Sequence, residues 1–179
     1  MKTEELYKEL ETLVASAIAQ VEFLKLQEID VLNKKPSVES WSALACLDHL
    51  NQYAAFYLPE MERAIQNARF TSQQQFKSGV LGNYFANSMR VNSDSIKKMK
   101  SPKDKTPLQS TFDFQPLQQF ENDLHRLHRL IRMSQSVDLK RTKCSISLTR
   151  LIKLSLGDTL LFYTLHIERH LWQANRAMR

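Results

Sequence analysis

Apolar residues recur at three- and four-residue steps along most of the chain, the spacing that lines one face of an α-helix. Leu6, Leu10, Leu13, Ala17, Val21 and Leu24 form the first stripe and predict a helix from Thr3 to about Leu32. Asn33-Lys-Lys-Pro36 ends it, because proline disfavours helical geometry in the residue before it. A second helix is predicted from about Trp41-Ser42, with Leu47, Leu50, Ala54, Tyr57 and Met61 as its apolar arc and His49 on the shoulder beside Cys46 and Tyr53. Ser42 is its natural cap. Pro59 inside the pattern predicts a bend or an early end.

A third helix follows Pro116, a favoured first-turn residue, with Leu117, Phe120, Leu124, Leu127 and Ile131 as its seam. His125 and His128 fall beside the seam with Arg126, Arg129 and Arg132, a basic strip expected to be solvated. Cys144-Ser-Ile-Ser predicts a short extra helix before the last one, capped by Ser145 or Ser147, with Leu148, Leu151 and Ile152 facing inward. Gly157-Asp158 then restarts the chain into a final helix, from about Asp158 to Ala177, carrying the stripe Leu160, Tyr163, Ile167, Leu171 and Ala174. Leu161, Phe162, Leu165 and Trp172 point elsewhere, so this helix is apolar on more than one side and is either central or shared between subunits. A homodimer packed through it is the expectation.

Residues 67–115 break the pattern: a Thr-Ser-Gln-Gln-Gln run, Gly79 and Gly82, and a polar stretch from Lys97 to Thr106 with Pro102 and Pro107. Only Leu81 to Met89 predicts a short helix there. So long a connection inside a compact domain calls for a reason.

Composition agrees with an all-α chain. With 179 residues, three glycines and five prolines, one domain spanning 1–179 and able to bury a substantial core is expected. The two cysteines are far apart and form no C-x-x-C pair, which argues against a disulfide scaffold and for a reducing compartment. The start of the chain lacks a signal-peptide pattern and no apolar run reaches membrane-spanning length, so a soluble cytoplasmic protein with no membrane partner is expected. The net charge of +6 is spread along the chain without interleaved aromatics, which speaks against nucleic acid as the partner.

The candidate chemistry lies in His166-Ile-Glu-Arg-His170. Histidines four apart on a helix are about 40° apart around its axis, so both rings leave one face. A third imidazole is needed to hold a first-row metal firmly, and His49 is the best candidate. Cys46, one turn before His49, is either a softer fourth ligand or a small buried hydrophobe, and Tyr53 and Tyr163 are further candidates to line the pocket. Gln173 either orients a bound water or ligand or is a surface glutamine, and Asp48 and Glu168 are possible outer acceptors for imidazole N–H groups. Zn²⁺ suits three imidazoles best, while Ni²⁺ and Fe²⁺ also suit them.

Trp41-Ser42, then His49-Leu50, then His166, His170 and Gln173 together make a pattern that resembles the DinB/YfiT-like superfamily of metal-binding four-helix bundles, across nearly the whole chain. The resemblance implies an up-down-down-up bundle, in which the second and third helices run parallel and residues 67–115 are the crossover between them. Many relatives carry Glu at the position of Ala45, so that family feature is missing here. The resemblance also implies a function: a metal-dependent enzyme of the thiol S-transferase or hydrolase type, acting on a small-molecule substrate and, in the first case, on a low-molecular-weight thiol. The alternative is a non-catalytic bundle, structural or stress-associated, in which the metal only fastens two helices.

Overall fold

The computed structural model describes residues 1–91, 101–107, 109–147 and 149–179. Its helices are α1 (Thr3–Lys25), α2 (Ile29–Asn33), α3 (Ala43–Gln66), α4 (Val80–Met89), α5 (Gln115–Ser134) and α6 (Leu156–Ala177). A 3-10 turn covers Lys103–Lys105, and a hairpin of β1 (Lys143–Ile146) and β2 (Thr149–Ser155) precedes α6. The chain is thus mostly helical with one small antiparallel sheet. No helix among the described residues is long and apolar enough to cross a membrane.

The long helices follow the hydrophobic stripes. Leu6, Leu10, Ala17, Val21 and Leu24 of α1 are buried with Val14, while Leu13 packs at the edge of the core. The stripe predicted one helix to Leu32; instead α1 stops at Lys25 and the chain turns through an extended Glu28 into α2. The turn has a packing reason: α1 lies against α5 and α6, whereas α2 lies against α3, and only a change of direction carries Leu32 into that core. Ser42 caps α3 as expected, accepting from the Ala45 backbone N–H at 3.2 Å. Pro59 does not end α3, which continues to Gln66. Beyond it Met61 and Ile65 are buried, and burying two such side chains at about 1.5–3 kcal/mol each offsets a proline defect of about 3 kcal/mol.

α3 packs on α5 and α6, and α1 packs on the same two helices from the other side. The seam of α5 is the predicted one with Leu130 added, and Pro116 stands in its first turn. α4 lies along α6, with Phe85 against Phe162 at 6.0 Å between centroids. Of the four residues that made α6 apolar on more than one side, Leu161, Phe162 and Leu165 are buried within the chain and Trp172 is half-buried.

The stretch from Cys144 is not the extra helix that the spacing predicted. It alternates with the period of a strand, Cys144 and Ile146 being buried, and α3 satisfies its outer edge: Ser145 N–H donates to Glu60 Oε1 at 2.7 Å and Ser147 N–H to the Tyr57 hydroxyl at 3.2 Å. Leu151, 94 % exposed, and Ile152, also exposed, do not face inward, and Leu148 lies outside the described residues. So do residues 97–100 of the predicted polar run, which the structure describes from Ser101 onward.

The connection after α3 packs against the rest of the chain through α4. Leu81 to Met89 is helical as expected, within α4. All three glycines of the chain meet where α4 docks on the start of α6. Asp158 accepts there from Ser78 Oγ, from the Gly79 N–H at 3.0 Å and from Ser155 Oγ at 2.5 Å. Ser155, not Asp158, is the cap of α6, accepting from the Asp158 N–H at 3.2 Å. A Cβ on Gly82 would come within 2.2 Å of Asp158 Cγ, and one on Gly157 within 2.6 Å of the Phe76 ring, so glycine is needed for close approach.

Candidate metal centre

α3 presents His49 to the face of α6 that carries His166 and His170, and one nitrogen from each ring lies within 4.8 Å of the others. His49 Nε2 and His166 Nε2 are 3.3 Å apart. Two nitrogens at the Zn–N distance of about 2.0–2.1 Å and a tetrahedral angle are separated by about 3.3 Å, so this pair stands at ligand spacing. The three rings are 2 %, 4 % and 9 % exposed in the order His49, His166, His170.

Aromatic side chains wall the cluster. Trp41, just ahead of the α3 cap, places its ring 4.9 Å from His49 and 5.8 Å from His170. Tyr53, one turn on from His49, lies 4.8 Å from His49 and 4.5 Å from His166. Phe162 stacks on His166 at 5.9 Å with the planes 8° apart. Phe162 does not point elsewhere, as the stripe suggested; it stands one turn before His166 on the same face, and that spacing was the signal that would have found it.

Outer hydrogen bonds fix two of the tautomers. His49 Nδ1–H donates to the Lys105 carbonyl at 2.6 Å, and His170 Nδ1–H donates to Gln173 Oε1 at 3.1 Å. Both acceptors require the proton on Nδ1, which leaves Nε2 with its lone pair free for a metal. His166 Nδ1 is buried without a hydrogen-bond partner, so packing against Phe162 and Tyr53 is what holds that ring. Burial lowers the pKa of all three imidazoles, aided for His166 by His170 and His49 and opposed for His49 by the Lys105 bond. His170 is brought down to about 3, by burial first and then by His49 and Arg169. At neutral pH the rings are uncharged, the form that binds metals. The donor set therefore fits a metal ion: three neutral nitrogens, two with their protons directed outward.

Of the other candidates, Tyr53 and Gln173 join the cluster. Cys46 does not: it is wholly buried in the core, and burial pushes its thiol well up, leaving a neutral, small hydrophobe. Tyr163 is also in the core, against Tyr57 at 5.6 Å. Asp48 accepts from Gln52 at 2.8 Å, and Glu168 feels Arg90 and Glu9, so the outer acceptors are a backbone carbonyl and an amide instead. His125 is exposed and His128 half-buried on α5, outside the group. The Lys105 carbonyl was not foreseeable, since a main-chain acceptor has no sequence signature.

No family model, no curated protein and no solved structure matches the chain.

Proposed function

We propose that this chain is a metal-binding protein of the DinB-like kind, with His49, His166 and His170 holding a divalent ion, Zn²⁺ first and Ni²⁺ or Fe²⁺ next. The observation that carries the reading is the convergence of three buried, neutral imidazoles from two helices, two of them with Nδ1–H turned to outer acceptors. The packing of α1 and α3 on both α5 and α6 is what an up-down-down-up bundle requires, and residues 67–115 serve as its crossover.

The activity proposed is transfer of a low-molecular-weight thiol to a small electrophile, or hydrolysis of a small molecule. When bound, the ion would act as a Lewis acid that brings the pKa of a water or thiol toward neutrality. The protein's own part is to aim the imidazoles through Lys105 and Gln173 and to keep bulk water off them with Trp41, Tyr53 and Phe162. Among the described residues no carboxylate belongs to the group, which favours thiol chemistry, since a thiolate needs no separate base.

The depth of burial favours one competing reading, in which the metal merely fastens α3 to α6. Metal analysis of the purified protein, Co²⁺ titration, and a screen of thiol-conjugation and ester or amide substrates on wild type and His49→Ala separate the two. An exchangeable fourth position with metal-dependent turnover supports the enzyme; a closed site without turnover supports the fastener. Full metal content in a folded His49→Ala protein refutes the three-ligand centre.

A further inference from the structure

We propose that the crossover is a working part of the metal centre, with Lys105 as a positioning residue acting through its backbone carbonyl, so that docking of the crossover and binding of metal are coupled. The proposal rests on the metal-binding reading above. It adds that a segment far from every ligand in sequence sets the state of one of them.

Two contacts carry it. The 3-10 turn Lys103–Lys105 is closed by Lys105 N–H donating to Pro102 O at 3.0 Å and braced by Thr106 Oγ1 donating to the same oxygen at 3.1 Å. Lys105 Nζ reaches the Gln52 carbonyl at 3.5 Å, which seats the turn on α3 beside His49. In that seat the Lys105 carbonyl can only accept, so it selects the Nδ1–H tautomer of His49 and frees Nε2. The second contact runs through α4, which Asp158 anchors on α6 through Ser78 and Gly79. Phe85 on α4 packs on Phe162, and Phe162 stacks on His166, the ligand whose Nδ1 has no outer acceptor among the described residues. The crossover thus supports His49 by a hydrogen bond and His166 by packing. Because binding linkage is reciprocal, an ion on those rings must hold the crossover down by the same free energy.

The test separates carbonyl from side chain. Lys105→Ala keeps the carbonyl and removes only the long Nζ contact to Gln52, so it should weaken Co²⁺ binding by less than either proline variant. Lys105→Pro removes the N–H that closes the turn, and Thr106→Pro disfavours helical geometry at Lys105 itself. Either should weaken Co²⁺ binding by about 10- to 100-fold, the usual loss of an outer acceptor, with the thermal transition of the apoprotein retained. Imidazole ¹⁵N spectra of the apoprotein should place the His49 proton on Nδ1 in wild type and Lys105→Ala, and on both nitrogens in the proline variants. Co²⁺ should slow proteolysis within residues 101–107 in wild type and in Lys105→Ala, and not in the proline variants. An Nε2–H tautomer for His49 in wild type, or unchanged Co²⁺ affinity in both proline variants, overturns the coupling alone. Absence of Co²⁺ binding by wild type overturns the metal reading and the coupling together, whereas the apoprotein spectra still judge the Lys105 bond.

Discussion

Replacing Gly82 by alanine sets two effects of known size against each other. In an exposed helix interior, alanine is favoured over glycine by about 1 kcal/mol. At Gly82 the new methyl would lie 2.2 Å from Asp158 Cγ and 2.5 Å from Oδ2. Carbon atoms rest at about 3.5–4.0 Å, so α4 would have to withdraw from α6 by about 1.5 Å. Asp158 cannot swing aside, because Ser155 holds both its carboxylate and its backbone N–H in the first turn. Overpacking of this kind costs about 1–3 kcal/mol. The withdrawal also stretches the bonds from Ser78 Oγ and Gly79 N–H to the carboxylate, each worth about 1.5–3 kcal/mol as a bond to a charged group. With partial relaxation, the clash and weakened bonds outweigh the propensity gain, and a net loss of about 3 kcal/mol is expected. At about 2–4 °C per kcal/mol for a chain of this size, Tm should fall by about 6–12 °C. Urea denaturation with unchanged m-value, alongside the thermal transition, is the assay. Equal or greater stability of Gly82→Ala would refute the close approach. In an Asp158→Ala background the Cγ and Oδ2 clashes are gone but the Cβ still lies 2.5 Å from the new methyl, so the same substitution should remain destabilising, by less than in wild type.

Three further outcomes follow from the packing and the site. The lowered pKa of each buried histidine means that the unfolded chain takes up protons below about pH 6.5 while the folded chain does not, so apoprotein stability is full above that pH and is lost as pH falls below it. While all three rings stay neutral in the fold, they contribute a slope of at most about 4 kcal/mol per pH unit, measurable by urea titration; a flat profile between pH 7 and 5 would contradict buried neutral rings. Gln173→Ala should weaken Co²⁺ binding about 10-fold, read by competition with a chelator, because the His170 tautomer loses its acceptor. Leu151→Lys should change stability by less than about 0.5 kcal/mol, whereas Leu154→Ala on the same strand should cost about 2–5 kcal/mol; the reverse order would restore the helix that the spacing suggested.

The seams of α1, α3, α5 and α6 were legible because each is repeated over many turns, so one misplaced residue, such as Leu13 for Val14, changes nothing. The hairpin was not legible. Leu148, Leu151 and Ile152 mimic a helical stripe, and the partners that make the segment a strand, Glu60 and Tyr57, lie more than eighty positions away. The end of α1 was missed for a related reason: Leu32 continues the stripe, but the core it enters belongs to another helix pair. In the site, His166 and His170 were readable from one helical turn and Gln173 from the next. The second apolar face of α6 left a central and a shared helix both open, and nothing local reveals that α4 returns to cover part of it.

The same geometry would support the three imidazoles unequally if they held an ion. Three imidazoles are buried as neutral groups, two are held with lone pairs turned inward, and the His166 Nδ1 has no hydrogen-bond partner among the described residues. Without an ion, the 3.3 Å approach of His49 Nε2 to His166 Nε2 needs a proton between them, and since the Lys105 bond keeps the His49 proton on Nδ1, that proton must come from His166 Nε2. His166 is then a donor on the inner side and bare on the outer side. His49 and His166 would hold an ion through Nε2, and the His166 proton would then sit on Nδ1, where Phe162 and Tyr53 offer ring faces and edges but no strong acceptor. His166 is therefore the ligand with least outer support and the one most dependent on packing. An ion that binds the folded chain alone adds stability in proportion to the logarithm of its concentration over Kd, and most of that gain should vanish when Phe162, which touches no ligand nitrogen by a hydrogen bond, is cut back to alanine.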